Sequence, residues 1–217
     1  MKYKAVLFDF DGVIAGTLPY HVQAWQKAFA DYKIKILPDD IYYREGQIAN
    51  SIAADIAIEK GLNLDEHELD AIVKNKRQIF NNITKAQVYP GTKKIVEQLH
   101  KMSVKIGIVT GSILFNVSVI TGEKFLDKFG AIVTGDSVVN NKPHPEPFLT
   151  GAKKLGVKPE ECVVIENAPL GIKAAKAAGM YCVAVKTTIK DEKYLQEADL
   201  IVEDMGKIPI SKIFHEE

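Results

Sequence analysis

The sequence predicts an α/β protein: a parallel sheet covered by helices on both faces and interrupted once by a helical insert. Three observations carry that expectation. Short, β-prone apolar runs recur along the chain and alternate with helical stripes. Two of those stripes stop at a glycine, Gly156 and Gly179, as a helix with a left-handed end does. Between about residues 18 and 83 the alternation lapses, because apolar residues keep helical spacing there and no strand pattern occurs.

The first run, Ala5 to Phe8, leads into Asp9-Phe10-Asp11-Gly12 and reads as a strand buried on both faces. In the insert, Val22, Trp25 and Phe29 share one helical face. Ile48, Ile52 and Ile56 share a second, and Leu69, Ile72, Val73 and Phe80 a third. No low-complexity linker flanks them, so the insert is expected to pack as a cap. Tyr89-Pro90-Gly91 marks the return to alternation. A stripe of Ile95, Val96, Leu99 and Met102 precedes strands at 106–110 and 131–133. A stripe of Phe148, Ala152 and Leu155 precedes a strand at 162–165. Ile172, Ala175 and Ala178 mark a helix from Gly171, and strands follow at 181–185 and 200–202. The expected division is a core domain of residues 1–17 and 86–217 and a cap domain of residues 18–85.

Composition narrows the function classes. A chain of 217 residues buries most of its apolar surface without staples. Its 28 basic and 28 acidic residues cancel, which argues against non-specific nucleic-acid binding. Hydrophobic residues at 47% and charged residues at 26% are the balance of a soluble globule. The two cysteines, Cys162 and Cys182, sit in apolar runs and are too few for a disulfide framework or a thiolate zinc site. No segment approaches the ~18 consecutive apolar residues of a membrane span. The start, Met1-Lys2-Tyr3-Lys4, reaches Asp9 too soon for a signal-peptide core, and the terminal His215-Glu216-Glu217 is too short for a tag. The expectation is a cytoplasmic protein, monomer or homodimer, with no nucleic-acid or membrane partner.

In open parallel sheets ligands bind at the carboxyl ends of the strands, and four strand ends here carry polar residues suited to one phosphate chemistry. Asp9 and Asp11, two apart in extended chain, point the same way. Their repulsion keeps one protonated unless a divalent metal offsets it, so the pair offers an ionised nucleophile and a general acid. Thr110-Gly111-Ser112 supplies hydroxyls and backbone N–H groups for phosphoryl oxygens, although such a turn serves equally as a helix cap. Lys142 lies in Asn141-Lys142-Pro143-His144-Pro145-Glu146, where prolines restrict the backbone that aims its ammonium; an isolated lysine is otherwise solvated. Glu166-Asn167 offers hard oxygen ligands for Mg²⁺, unless Asn167 only caps the following helix. The histidines lack H-E-x-x-H spacing, and neither glycine-rich nucleotide motif occurs. His21, soon after the Asp pair, couples cap to core or is a satisfied core histidine.

In this order the set resembles the haloacid dehalogenase superfamily, in the branch of small phosphatases and β-phosphoglucomutases with a helical cap after the first strand. The resemblance spans about residues 3 to 203. It rests on Asp9-Phe10-Asp11-Gly12-Val13, Thr110, Lys142 in Lys-Pro-His-Pro-Glu, and Glu166-Asn167 with Gly171-Ile172-Lys173-Ala174-Ala175 and Gly179. It implies a Rossmann-like core in which Asp9 forms an aspartyl-phosphate and Asp11 protonates the leaving oxygen. Mg²⁺ would bind Asp9, the Asp11 backbone carbonyl and Asn167, with Glu166 as direct or water-mediated partner. Thr110 and Lys142 would hold phosphoryl oxygens, with Gly12, Gly111 and Ser112 lining the phosphate site. Asp11 and the Glu166-Asn167 pair favour phosphoryl transfer over dehalogenation, which needs neither.

Three departures stand out. Asn167 replaces the usual Asp. Gly16 stands where relatives carry Asp before Ser or Thr, and is expected to loosen the hinge to the cap. Mutases of this branch carry an Arg three residues after a cap Gly, to grip the distal phosphate of a bisphosphate. Counting from Gly46 gives Ala49, which leaves Arg44, Lys76 or Arg77 as substitutes. Without that grip water is the acceptor, so a phosphatase of a small phosphorylated metabolite, plausibly a sugar phosphate, ranks above a hexose-phosphate mutase. A non-enzymatic phospho-acceptor module is the alternative from another class; the insert and the acid pair argue against it.

Overall fold

The computed structural model describes residues 2–214; Met1 and residues 215–217 lie outside the described residues. Strand β1 (Ala5–Phe8) is followed by four helices, α1 (Leu18–Ala28), α2 (Pro38–Tyr42), α3 (Ala49–Glu59) and α4 (Glu66–Ile83). Next come α5 (Pro90–Lys101), β2 (Lys105–Val109), α6 (Leu114–Thr121), α7 (Glu123–Leu126) and β3 (Ala131–Val133). The chain continues with α8 (Glu146–Leu155), β4 (Cys162–Glu166), α9 (Pro169–Ala177), β5 (Tyr181–Val185), β6 (Leu200–Val202) and α10 (Ile210–Phe214).

The six strands form one sheet in the order β3-β2-β1-β4-β5-β6, and every pair is parallel. β1 lies at its centre, with Ala5 opposite Lys105 on one side and Cys162 on the other. Chain order reverses across β1, which makes its carboxyl end the topological switch point of the sheet. Alternate strand residues feed two apolar layers. Val6, Phe8, Ile108 and Ile165 pack with Val96, Leu99 and Phe214 on one face. Leu7, Val109, Val164 and Cys182 pack with Phe148, Leu155 and Ile172 on the other. Both faces are covered, so the strands must read as continuous apolar runs, as they do. Each such large side chain contributes about 1.5–3 kcal/mol on burial. Both cysteines are free and buried, and burial with Glu161 and Glu160 nearby pushes the Cys162 thiol up to about 12.

Local chemistry sets the helix ends. α4 opens on a reciprocal cap, in which Glu68 N–H donates to Asp65 at 2.8 Å and Asp65 N–H to Glu68 at 2.9 Å. α8 stops at Gly156, whose φ is +63°. α9 begins at Pro169, earlier than the apolar stripe indicated, because proline at the first helical position is pre-set for the helix. Ala168 is therefore the cap residue, and Asn167 is free of that role. The short α2 has no apolar stripe and was not foreseen; Pro38 starts it.

Helices α1 to α4 share an apolar cluster of their own, built from Val22, Trp25, Phe29, Ile41, Ile52, Ile56, Ile72 and Val73. Gly16, where this insert departs from the core, packs closely against Tyr89. A Cβ there would stand 3.1 Å from the Tyr89 hydroxyl and 3.3 Å from its ring. Among the described residues, no helix is long and apolar enough to cross a membrane.

Candidate active site

The central strand delivers Asp9 to the carboxyl edge of the sheet, where its N–H donates to Ile165 O at 2.9 Å. A tight turn follows: Phe10 O accepts from Ile14 and Ala15, and Gly12, at φ +88°, donates to Ala15 O. Gly12 is needed there because a Cβ would lie 2.4 Å from Asn167 Nδ2. Asp9 and Asp11 are both buried.

Lys142, only 3% exposed, reaches in from the loop before α8. Its ammonium donates to Asp9 Oδ1 at 2.6 Å, Glu166 Oε1 at 2.7 Å and Val109 O at 3.1 Å. Burial disfavours that charge, but the carboxylates of Asp9 and Glu166 more than compensate and raise its pKa. Glu166 ends β4, and its other oxygen accepts from Asn167 N–H at 2.8 Å and Ala168 N–H at 3.2 Å. Gly171 leaves room for this carboxylate, since a Cβ there would stand 1.7 Å from Glu166 Oε1. Thr110 directly follows β2; its hydroxyl accepts from Ser112 N–H at 3.0 Å and lies 3.4 Å from Asp11 Oδ2.

Asp11 is the hub of a second network. Its Oδ1 accepts from Thr17 Oγ1 at 2.6 Å and faces His21 Nε2 at 3.0 Å, while Ser112 Oγ donates to Oδ2 at 2.8 Å. Lys76 Nζ donates to His21 Nδ1 at 2.8 Å, so His21 is neutral with its proton on Nε2, directed at Asp11. The His21 ring stacks on Phe80 at 4.1 Å. Burial, and then the Lys76 charge, lower His21; burial brings Lys76 down to about 8.

The two carboxyls of the pair stand in different surroundings. Burial, reinforced by Glu166 and opposed by Lys142, raises Asp9 to about 8. Burial would raise Asp11 too, but His21, Thr17 and Ser112 outweigh it and hold its carboxyl below the usual range. The reason is donor supply: Asp11 faces four side-chain donors, Thr17, His21, Ser112 and, at 3.4 Å, Thr110, whereas Asp9 shares one ammonium with a second carboxylate.

Among the described residues, no three His, Cys, Asp or Glu side chains cluster with metal-ligand spacing. The residues present nevertheless fit a hard cation. Asn167 is fully buried, its Nδ2 donates to Thr188 Oγ1 at 2.9 Å, and its Oδ1 has no partner. That orphaned oxygen, the Asp9 and Glu166 carboxylates and the Asp11 backbone carbonyl are the oxygen donors Mg²⁺ favours.

A cavity of about 170 Å³ opens onto Asp9 and Asp11. The core contributes Gly111, Ser112, Asn116 and Asp136 to its wall, and the insert contributes Trp25, Glu45, Gln47, Lys76 and Arg77. The loop 45–48 rests on a ledge of core backbone. A Cβ on Gly111 would meet Gln47 O at 2.8 Å, and one on Gly135 would meet Gly111 O at 2.4 Å and Ile48 at 3.0 Å. Arg44 is drawn away from the cavity: it pairs with Glu59 and donates to Asp40 O at 2.6 Å. The structure thus brings together Asp9, Asp11, Gly12, His21, Lys76, Thr110, Gly111, Ser112, Lys142, Glu166 and Asn167, but not Arg44. Thr17, Glu45, Gln47, Asn116 and Thr188 were not foreseen. Thr17 alone left a signal, a hydroxyl six residues after Asp11 and just before a proline-started helix.

A switch-point acid pair, a buried lysine and a helical insert over the same sheet edge define a capped α/β hydrolase. The profile of the haloacid dehalogenase-like hydrolases matches residues 6–185, and the chain belongs to that family. It is 33% identical over 95% of its length to validoxylamine A 7'-phosphate phosphatase of Streptomyces hygroscopicus subsp. limoneus, covering 96% of that protein. It is 32% identical over 99% of its length to β-phosphoglucomutase of Bacillus subtilis, covering 95% of it. The crystal structure of β-phosphoglucomutase from Clostridium difficile superposes with a TM-score of 0.84 at 29% identity, over 97% of this chain and 95% of that one.

Proposed function

We propose that this enzyme is a Mg²⁺-dependent phosphatase that hydrolyses a small phosphorylated metabolite, a sugar or polyol phosphate, through an aspartyl-phosphate on Asp9. The insert, residues 18–85, serves as its cap. The observation that carries the reading is the bridge from Lys142 to both Asp9 and Glu166, set beside an acid two residues from Asp9. A phosphatase and a β-phosphoglucomutase among the relatives support phosphoryl chemistry.

A carboxylate oxygen of Asp9 attacks phosphorus as the ester bond to the leaving oxygen breaks. Asp11 delivers a proton to that oxygen, and the alcohol departs. Asp11 then takes a proton from the attacking water, whose oxygen ends in inorganic phosphate as Asp9 is released. Lys142, Thr110 and Ser112 stabilise charge on the phosphoryl oxygens. As Thr110 and Ser112 turn to those oxygens, Asp11 loses donors to its ionised form and becomes easier to protonate. Bound by Asp9, the Asp11 carbonyl and Asn167, with Glu166 nearby, Mg²⁺ would supply neutralising charge.

A mutase needs a cation for a second phosphate. Arg44 is committed to Glu59, Lys76 donates to His21 and position 49 is alanine, so only Arg77, exposed at the cavity wall, is left for that role and water is the favoured acceptor. The test is phosphate release from an aryl phosphate with Mg²⁺. Release by the native enzyme and none by Asp9→Asn is expected; no release, or equal release by both, overturns the proposal. Isomer formation from a hexose phosphate without net phosphate release would make it a mutase.

A further inference from the structure

The insert joins the core through two connections that run side by side. Gly16 N–H donates to Gln87 O at 3.3 Å, and Tyr89 N–H to Ile14 O at 2.9 Å. A body held at one edge stays seated through contacts away from that edge. The 45–48 loop makes one set, and two adjacent tyrosines at the end of α2 make another that no motif marks. Tyr42 packs against the apolar cluster of the insert and against the core layer that holds Phe148 and Ile172. Tyr43 reaches across to Tyr194 of the core, with ring centroids 4.6 Å apart and planes tilted by 44°. Tyr194 lies in the segment between β5 and β6, and Lys193 Nζ stands 4.6 Å from its ring centroid. That segment is tied to the site: Thr187 Oγ1 donates to Gly12 O at 2.6 Å, and Thr188 Oγ1 accepts from Asn167 Nδ2 at 2.9 Å. Its Ile189 and Leu195 are buried in the core layer. On the insert side, Tyr43 stands three residues before Gly46, where a Cβ would lie 2.8 Å from Lys142 Cδ.

We propose that Tyr43 and Tyr194 are positioning residues, a clasp of two rings that holds the insert down on the core and keeps Gly46 against Lys142. The proposal rests on the insert's role as the cap and names the pair that keeps it seated. Both rings are anchored within their own bodies, Tyr43 beside the doubly packed Tyr42 and Tyr194 between buried Ile189 and Leu195, so their contact joins the bodies and not two loose side chains. The strength suits a part that opens and closes. Tyr194 is 39% exposed, and an aromatic pair shifts an equilibrium by about two- to tenfold, enough to favour the seated cap without locking it.

Trp25 provides the reporter. It is the single tryptophan of the chain, is 1% exposed and lines the cavity between insert and core, so its quenching by acrylamide reads the seating of the cap. Tyr43→Ala and Tyr194→Ala are each expected to raise the quenching constant about two- to tenfold. The double variant should rise no further than either single one, because each ring acts only through the other. A loosened fold would instead worsen in the double variant, so this comparison separates a lifted cap from partial unfolding. Tyr194→Phe keeps the ring and should quench as the native protein does. With an aryl phosphate, kcat/KM should fall by up to about tenfold in the alanine variants. Native quenching in both alanine variants, or effects that add in the double variant, overturn the inference. Quenching needs neither Mg²⁺ nor substrate, so absence of phosphate release from every ester defeats the phosphatase reading and leaves this one to be decided by Trp25.

Discussion

The ammonium of Lys142 donates to Asp9 Oδ1 at 2.6 Å across 133 residues of chain. It also holds Glu166, so a single cation keeps two buried carboxylates side by side. Lys142→Met removes the cation and leaves both acids facing each other. Breaking a buried pair from one side costs about 3–5 kcal/mol. The expected outcome is a loss of that size in urea unfolding at neutral pH, together with loss of turnover. Adding Glu166→Gln to Lys142→Met should restore part of the stability, because the carboxylate that lost its cation is gone; no recovery in the double variant would contradict the arrangement.

Asp9 gives a pH dependence with a definite sign. Its folded pKa is raised from 3.8 to about 8, so the folded metal-free protein binds more protons than the unfolded chain between those values. The contribution of Asp9 to stability is therefore full below pH 3.8 and is lost as pH rises toward about 8. Mg²⁺ must displace that proton, so its affinity should weaken as pH falls below about 8, with proton release on binding. Calorimetry in buffers of different ionisation enthalpy reads both quantities; a Kd constant from pH 6 to 8 would count against Asp9 as a ligand.

Asp11 should reveal its role through the leaving group. An alkyl ester departs as a poor leaving group and needs the proton, whereas nitrophenolate leaves without one. Asp11→Asn is expected to slow alkyl phosphates by about 10²–10⁴-fold and nitrophenyl phosphate much less. Steady-state kinetics on both esters, with phosphate as the product measured, distinguish this from a general loss of fold, which would slow them equally.

Gly171 lies beneath Glu166, and an added Cβ would fall 1.7 Å from its carboxylate oxygen. Gly171→Ala must push Glu166 off Lys142 or shift the start of α9. Overpacking of this kind costs about 1–3 kcal/mol. Thermal unfolding should show the loss, and Mg²⁺ affinity should fall with it. Unchanged melting and unchanged affinity would show that Glu166 has slack the packing does not suggest.

The sheet was legible because strands buried on both faces have to be written as unbroken apolar runs, and the residues ending β1, β2 and β4 could be read straight off them. Lys142 was legible only through its motif, since a lone lysine on a loop has no periodic signature. Thr188 escaped notice because a hydroxyl that orients another side chain leaves no pattern along the chain, whereas Thr17 left one in its place before a proline-started helix. Gln47 and Asn116 escaped for a related reason: each stands out only by a buried amide oxygen without a partner. Arg44 looked suited to a distal phosphate by charge and place, but Glu59, on the facing turn of α3, claims it first. The surroundings that set the two carboxyls apart could not be read from spacing, because they depend on donors brought in from α1 and from the turn after β2.

The loop from Glu45 to Ile48 lies on the backbone of Gly111 and Gly135, not on their side chains. Peptide groups look alike whatever residues the loop carries, so the floor beneath it is indifferent to what is written above. Lineages can therefore vary Glu45 and Gln47 while Gly46, where a Cβ would stand 2.8 Å from Lys142, stays as inherited.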